Sequence, residues 1–283
     1  MPNGIRSFVG LLIVLAVAGS VFLWTSRDDA RVEPVVVRAG SSAEKELIEV
    51  PVLKDTQETL SDQSMKLTVD AHYPTVLLSQ NANYAKEANA VIAGTIDGVI
   101  SEFKNNVSEM GAQALSSDDL TSDLTMRFTP LLLSPTMISI RFDVSEYYAG
   151  AAHPNNYARV LNYHFEKHQV LSTPDLFASS TEALPFLSRY SRAELKKTFS
   201  DISEEEFALQ VLPGTDMRME NWGAVGITKN GLTVIFNPYQ VAPYARGTSD
   251  VKIPLNDLVG IIAVEVADAI RMASENILEA TPI

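Results

Sequence analysis

The distribution of apolar positions changes character several times along the chain. From Ser7 to Ser26 no residue is charged and most are Leu, Ile, Val, Ala or Phe. A helix of that length, at about 1.5 Å per residue, spans roughly 30 Å, enough to cross a bilayer. Arg27 to Gln63 is polar and irregular, with Pro34 and a Gly40-Ser41-Ser42 break, and reads as a tether that ends in an edge strand near Leu47 to Leu53. Met65 to Val76 then alternates, with Leu67, Val69 and Ala71 on one face. After a cap at Asn81 or Asn83, the residues Tyr84, Ala88, Ile92, Ile96, Val99, Phe103 and Val107 recur at helical spacing. Leu124 to Leu133 and Thr136 to Glu146 read as strands joined at Ser134-Pro135. In the second of these, Ile138, Ile140, Phe142 and Val144 alternate with Ser139, Arg141, Asp143 and Ser145.

The pattern beyond Tyr147 is shorter in period. Tyr157 to Glu166 is extended, and Thr181 to Phe199 and Ser203 to Val211 are helical. Trp222 to Thr228 and Leu232 to Asn237 flank Lys229-Asn230-Gly231, a hairpin signal. A last helix, capped near Asn256, aligns Leu258, Ile262, Val266, Ile270, Ala273 and Ile277, a face able to pack on the head or to make an oligomer contact. The expected architecture is α+β: a helix on a small antiparallel sheet, then a second α+β domain with a β-hairpin, behind an N-terminal transmembrane helix. The expected divisions are 1–26 (anchor), 27–63 (tether), 64–146 and 147–283. Ala16, Val17 and Ala18 also fit a signal-peptidase site, so the apolar segment reads as an anchor or a cleaved signal. Either way the head is expected outside the cytoplasm.

Composition narrows the chemistry. The 283 residues include 35 acidic and 22 basic side chains, a net charge of −13, and no cysteine. Disulfide scaffolds, thiol redox centres and cysteine-ligated metals are thereby excluded. The acidity opposes a phosphate backbone, so nucleic acid is not an expected partner. His164-Phe165-Glu166-Lys167-His168 has its glutamate in the wrong place for a zinc peptidase. In an extended segment the two histidines stand about 13 Å apart. No metal and no cofactor is expected, and this stretch reads as a solvated hairpin. Glu204-Glu205-Glu206 reads as a solvated helix start, and Gly223 to Gly226 lacks the lysine and spacing of a phosphate loop. No Ser or Cys nucleophile motif accompanies His153, which reads as a turn residue. An enzyme reading pairs it with Glu146 or Asp175. The run Pro238-Tyr239-Gln240-Val241-Ala242-Pro243-Tyr244 combines backbone restraint with two amphipathic rings. That chemistry suits a recognition surface or sugar stacking, or else tyrosines whose hydroxyls pin the loop to the core.

Several blocks carry a family resemblance: Tyr148-Ala149-Gly150-Ala151-Ala152-His153-Pro154-Asn155, Asn162-Tyr163, Thr173-Pro174-Asp175-Leu176-Phe177, Gly231 to Gly247, and Val251-Lys252-Ile253-Pro254-Leu255. Together, over about Tyr147 to Val259, they resemble the carboxy-terminal domain of the RsiV family. The preceding strand, Tyr73-Pro74 and long helix are similar to the domain that stands before the catalytic module in PdaC-type envelope enzymes. The resemblance implies an extracytoplasmic envelope protein, and in the family an outer domain of this kind binds lysozyme. About six residues precede the apolar segment, so the cytoplasmic sigma-binding role is not expected to carry over. No deacetylase metal motif is present in its proper context. The expectation is a non-enzymatic, membrane-anchored protein that recognises peptidoglycan or a lysozyme-like wall hydrolase. Its candidate ligand-binding residues are Tyr147, Tyr148, His153, Asn155, Pro238, Tyr239, Pro243 and Tyr244, with no catalytic residue assigned. The alternatives are a glycan-modifying hydrolase with His153 as acid/base, and an assembly protein of the envelope.

Overall fold

Leu67, Val69 and Ala71 need an apolar cover, and the long helix that follows them supplies it. The computed structural model describes residues 49–114 and 120–279. The anchor expected at 1–26 and most of the tether lie outside the described residues. Among the described residues no helix is long and apolar enough to cross a membrane.

The first sheet has six strands in the order β1 (Val52–Asp62), β2 (Leu67–Leu77), β3 (Ser122–Leu133), β4 (Met137–Tyr147), β5 (Asn155–His164) and β6 (Gln169–Leu171). It is mixed rather than antiparallel, because β2 and β3 run parallel. Parallel neighbours need a crossover connection, and α1 (Ala82–Ala114) lies in it. Buried Ala85, Ala88, Ile92, Ile96, Val99, Phe103 and Val107 of α1 pack on Leu67, Val69, Leu124, Met126, Ile138, Ile140, Phe142 and Val144. The helical stripe and the strand alternation expected there meet in one core.

Two further expectations are corrected here. The edge strand is longer and later than Leu47 to Leu53, so that Val52–Asp62, expected within the tether, pairs with β2 along its whole length. The division expected between residues 146 and 147 falls inside the sheet, since β4 and β5 pair from Met137↔His164 to Glu146↔Asn155. Residues Leu47 to Ile283 form one compact unit. The polar face of β4 is covered as well. Ser139 is fully buried and the Arg141 side chain is only 16% exposed, because a second sheet covers them.

That second sheet has the order β7 (Val225–Thr228), β8 (Gly231–Phe236) and β9 (Ser249–Pro254). All of β8 is buried, as expected for a strand covered on both faces. With α2 (Ser180–Thr198), α3 (Glu204–Gly214) and α4 (Val264–Glu279) it encloses Leu187, Leu195, Phe199, Val211, Trp222, Val234, Phe236 and Ile270. The hairpin sits one residue earlier than Asn-Gly signals. Thr228 pairs with Gly231, leaving Lys229-Asn230 as the loop. The last helix starts at Val264, after a 3-10 turn over Leu255–Leu258. Its Val266, Ala267, Ala269 and Ile270 are buried in the chain's own core.

The two sheets are joined by hydrogen bonds at the edge of β7. Val225 and Ile227 direct their outer backbone groups toward β4 and β5. Ile227 N donates to Ser139 Oγ at 3.1 Å, and Asn162 Nδ2 donates to Val225 O at 2.8 Å. Ser139 Oγ in turn donates to Asn162 Oδ1 at 2.7 Å. Between these bonds, a Cβ on Gly226 would meet only the tip of the Leu131 side chain, which would have to shift. Leu131 is the extra residue where the β3 register shifts between Pro130 and Leu132. Each buried polar group left unpaired costs about 1–3 kcal/mol. Asn162→Leu orphans the β7 carbonyl and half of the Ser139 pairing, and is expected to destabilise the fold by about 2–4 kcal/mol in urea unfolding. Thr248→Ala, at a half-buried surface contact, should stay within about 0.5 kcal/mol.

Candidate functional site

β5 serves both halves. Tyr157, Leu161 and Tyr163 face α1, whereas Ala158 and Val160 pack with Ala224 and Ile235 of the second half. Its outer edge beyond β6 is capped by side chains rather than by another strand. Asn237 accepts from Ala158 N at 2.7 Å and donates to Ala158 O at 3.3 Å. Earlier along the same edge, Tyr244 OH donates to Pro154 O at 2.8 Å and accepts from Asn156 Nδ2 at 2.7 Å. The segment from Asn237 to Tyr244 is thereby laid along the strand.

Local bonds fix the shape of that segment. Tyr239 N donates to Ala242 O and Gln240 N to Asn237 O. The Gln240 amide reaches Gly214 O and Asn221 O, and a Cβ on Gly214 would strike the Gln240 carbonyl. Tyr239 adopts φ +68°, a left-handed backbone that disfavours a tyrosine. The residue is 67% exposed. Tyr244 lies 5.5 Å from it, centroid to centroid, and His153 stacks on Tyr244 at 4.2 Å. His153 Nδ1 donates to Pro154 O at 2.9 Å, so Nε2 is the acceptor for Tyr239 OH at 3.4 Å. Three side chains from two distant segments thus form one exposed aromatic platform.

Beside it, α1, β5 and the turn before β7 border a cleft of about 850 Å³. At its floor stands Glu146, 4% exposed. Tyr157 OH donates to its Oε1 at 2.7 Å and Tyr148 OH to its Oε2 at 2.9 Å, and Asn106 Nδ2 donates to the Tyr148 oxygen at 3.1 Å. Burial, followed by interaction with Glu146, pushes the Tyr148 hydroxyl up to about 12 and raises Tyr157 further. Both phenols therefore stay protonated and remain donors. Arg159 pairs with Glu102 at 2.8 Å and covers the Tyr157 ring.

Of the residues singled out from sequence, His153, Tyr239 and Tyr244 meet in the platform, flanked by half-buried Pro238 and exposed Pro243. Tyr148 and Asn155 line the cleft. Tyr147 does not: strand alternation places it on the opposite face of β4 from Glu146. Tyr239 is exposed, and the Tyr244 hydroxyl pins the segment to the start of β5. The enzyme pairing is not assembled. His153 bonds Pro154 and Tyr239, Glu146 bonds the two phenols, and Asp175 accepts from Ser172 N at 2.8 Å at a 3-10 turn. Tyr157, Glu102 and Asn106 went unrecognised as site residues. Glu146 carried a legible signal, because it continues the apolar register Ile138, Ile140, Phe142, Val144.

The His164 to His168 hairpin is less solvated than expected. His164 is buried and accepts from Lys167 N at 3.4 Å, while His168 pairs with Glu87 across to α1.

Residues 174–256 match a family described as "Protein of unknown function (DUF3298)". The chain is 31% identical over 121 residues to peptidoglycan-N-acetylmuramic acid deacetylase PdaC of Bacillus subtilis (strain 168), over 43% of this chain and 25% of that protein. It thus spans a quarter of the length of that relative. Two crystal structures share the fold. A DUF3298 family member from Bacteroides fragilis has a TM-score of 0.51 at 16% identity, covering 78% of this chain and 96% of that one. One from Pseudomonas aeruginosa has a TM-score of 0.52 at 14% identity, covering 76% and 95%.

Two outcomes follow from the geometry. Tyr244→Phe should cost about 1–2 kcal/mol in denaturant unfolding, for the lost bonds to Pro154 and Asn156. Tyr239→Gly relieves the left-handed backbone and should leave stability within about 1 kcal/mol of wild type or above it. Burial, then Lys167, holds His164 below the ordinary imidazole range. The unfolded chain therefore takes up this proton first, and stability present above about pH 6.5 is lost as pH falls through the folded value. Unfolding midpoints from pH 7.5 to 5 should fall less steeply in His164→Gln than in wild type.

Proposed function

We propose that this chain is an extracytoplasmic, cell-wall-related binding protein whose head recognises peptidoglycan strands at the cleft along β5 and the adjoining aromatic platform. The observation that carries this reading is the Tyr239–Tyr244–His153 stack. An exposed tyrosine is held in a disfavoured backbone conformation beside a roomy polar cleft, and such local strain clusters at ligand sites. Ring faces stack on the apolar faces of sugars, while the cleft's amides, carboxylates and phenols suit hydroxyl groups. The relative named as a peptidoglycan-N-acetylmuramic acid deacetylase supports a wall glycan as the ligand class. The RsiV-like blocks and the apolar segment from Ser7 to Ser26 support a membrane-tethered head outside the cytoplasm. Binding rather than bond cleavage is proposed, because His153 and Glu146 are each engaged in holding the site's shape.

Co-sedimentation of the full chain with purified insoluble peptidoglycan tests this reading. Wild type should pellet with the wall material, and Tyr239→Gly should weaken binding about tenfold, the equivalent of about 1.4 kcal/mol of stacking. Failure of the wild-type chain to pellet would refute it. Capture of soluble lysozyme without any glycan binding would transfer the platform to a wall hydrolase as partner.

A further inference from the structure

The cleft holds a buried carboxylate without a counter-cation. Glu146 accepts one phenolic hydrogen bond at each oxygen, from Tyr157 and Tyr148, and makes no ion pair among the described residues. Its neighbour Arg159 is already committed to Glu102. Glu220, on the opposite wall, likewise has no ion pair among the described residues, so the carboxylates of the cleft exceed its cations. Two neutral hydrogen bonds only partly offset the cost of burying a carboxylate. The remaining lone pairs of Glu146 and of Tyr157 are acceptors with no donor supplied by the described chain. Nearby, Asn106 spends one N–H on Tyr148, while among the described residues its carbonyl and the Asn155 side chain have no hydrogen-bond partner.

A ligand complementary to this arrangement carries an ammonium on a frame of hydroxyl groups. The ammonium supplies the missing countercharge and donates to Glu146 and the phenol oxygens, while the hydroxyls engage Asn106 and Asn155. We infer that the cleft selects glycan strands bearing free 2-amino groups, binding de-N-acetylated amino sugars with Glu146 as the ammonium receptor. This rests on the glycan reading above and deepens it. An N-acetylated sugar brings a neutral amide to the same place, which leaves Glu146 uncompensated and adds bulk against the half-buried Tyr148 and Tyr157.

Calorimetric titration of the full chain with a β-1,4-linked glucosamine tetramer and with its fully N-acetylated counterpart tests the inference. The free-amine tetramer should bind at least about tenfold more tightly at a pH where its amines are protonated. Raising the pH through the titration of those amines should erase the preference in the wild-type chain, a readout that needs no variant to fold. Glu146→Gln, with its fold checked by circular dichroism, should abolish the preference by weakening binding of the free-amine tetramer. Equal or tighter binding of the acetylated tetramer would overturn the inference while leaving the glycan reading in place. A preference that survives in folded Glu146→Gln but vanishes in high salt would also overturn it, as general attraction to an acidic chain. Binding of neither tetramer would overturn both.

Discussion

A small polar lattice between two sheets sets the position of everything described above. The edge of β7 offers an N–H at Ile227 and a C=O at Val225, and inside the core neither can turn to water. Ser139 and Asn162 meet them from β4 and β5 and bond to each other as well. Apolar packing alone would leave the second sheet free to slide, because it has no preferred register. The directional pairs fix β7, and the β7–β8 ladder then fixes where Asn237 emerges. Asn237 in turn clamps Ala158 and lays the aromatic segment along β5.

The cleft follows from the same geometry. β6 is short, so β5 outruns its neighbour and presents an edge from Asn155 to Val160. Folded chains protect such edges, and here the protectors are Asn237, which bonds both backbone groups of Ala158, and Tyr244, which bonds Pro154 O and the Asn156 side chain, and together they stop short of a full strand. What remains between them and α1 is a polar trough with Glu146 at its base. Edge protection and the exposed aromatic platform are thus carried by the same segment, and Tyr244 belongs to both.

Much of this was legible in the sequence and some was not, for identifiable reasons. The α1 stripe and the alternation of β4 are local periodicities, and both held. The polar side of β4 was misleading, because Ser139 and Arg141 look like solvent-facing residues unless one knows that partners 23 and 109 residues away await them. A parallel β2–β3 pairing leaves no local trace, since it depends on a long crossover. The tyrosines of the 239–244 segment stood out through their flanking prolines, and His153 through its turn. Their meeting is a long-range event across 86 residues. Glu146 was visible only as an anomaly, a charge on an otherwise apolar face.

The arrangement of β7 bears on how this architecture can be inherited. The stretch that matches the family, residues 174–256, contains the second sheet but neither Ser139 nor Asn162. Cut out alone, it would carry an edge whose satisfying groups lie on strands it lacks, and Gly226 would face an empty space where Leu131 belongs. The unit that recombination can move intact is therefore larger than the recurring sequence motif, and must bring β3 through β5 along as its other half.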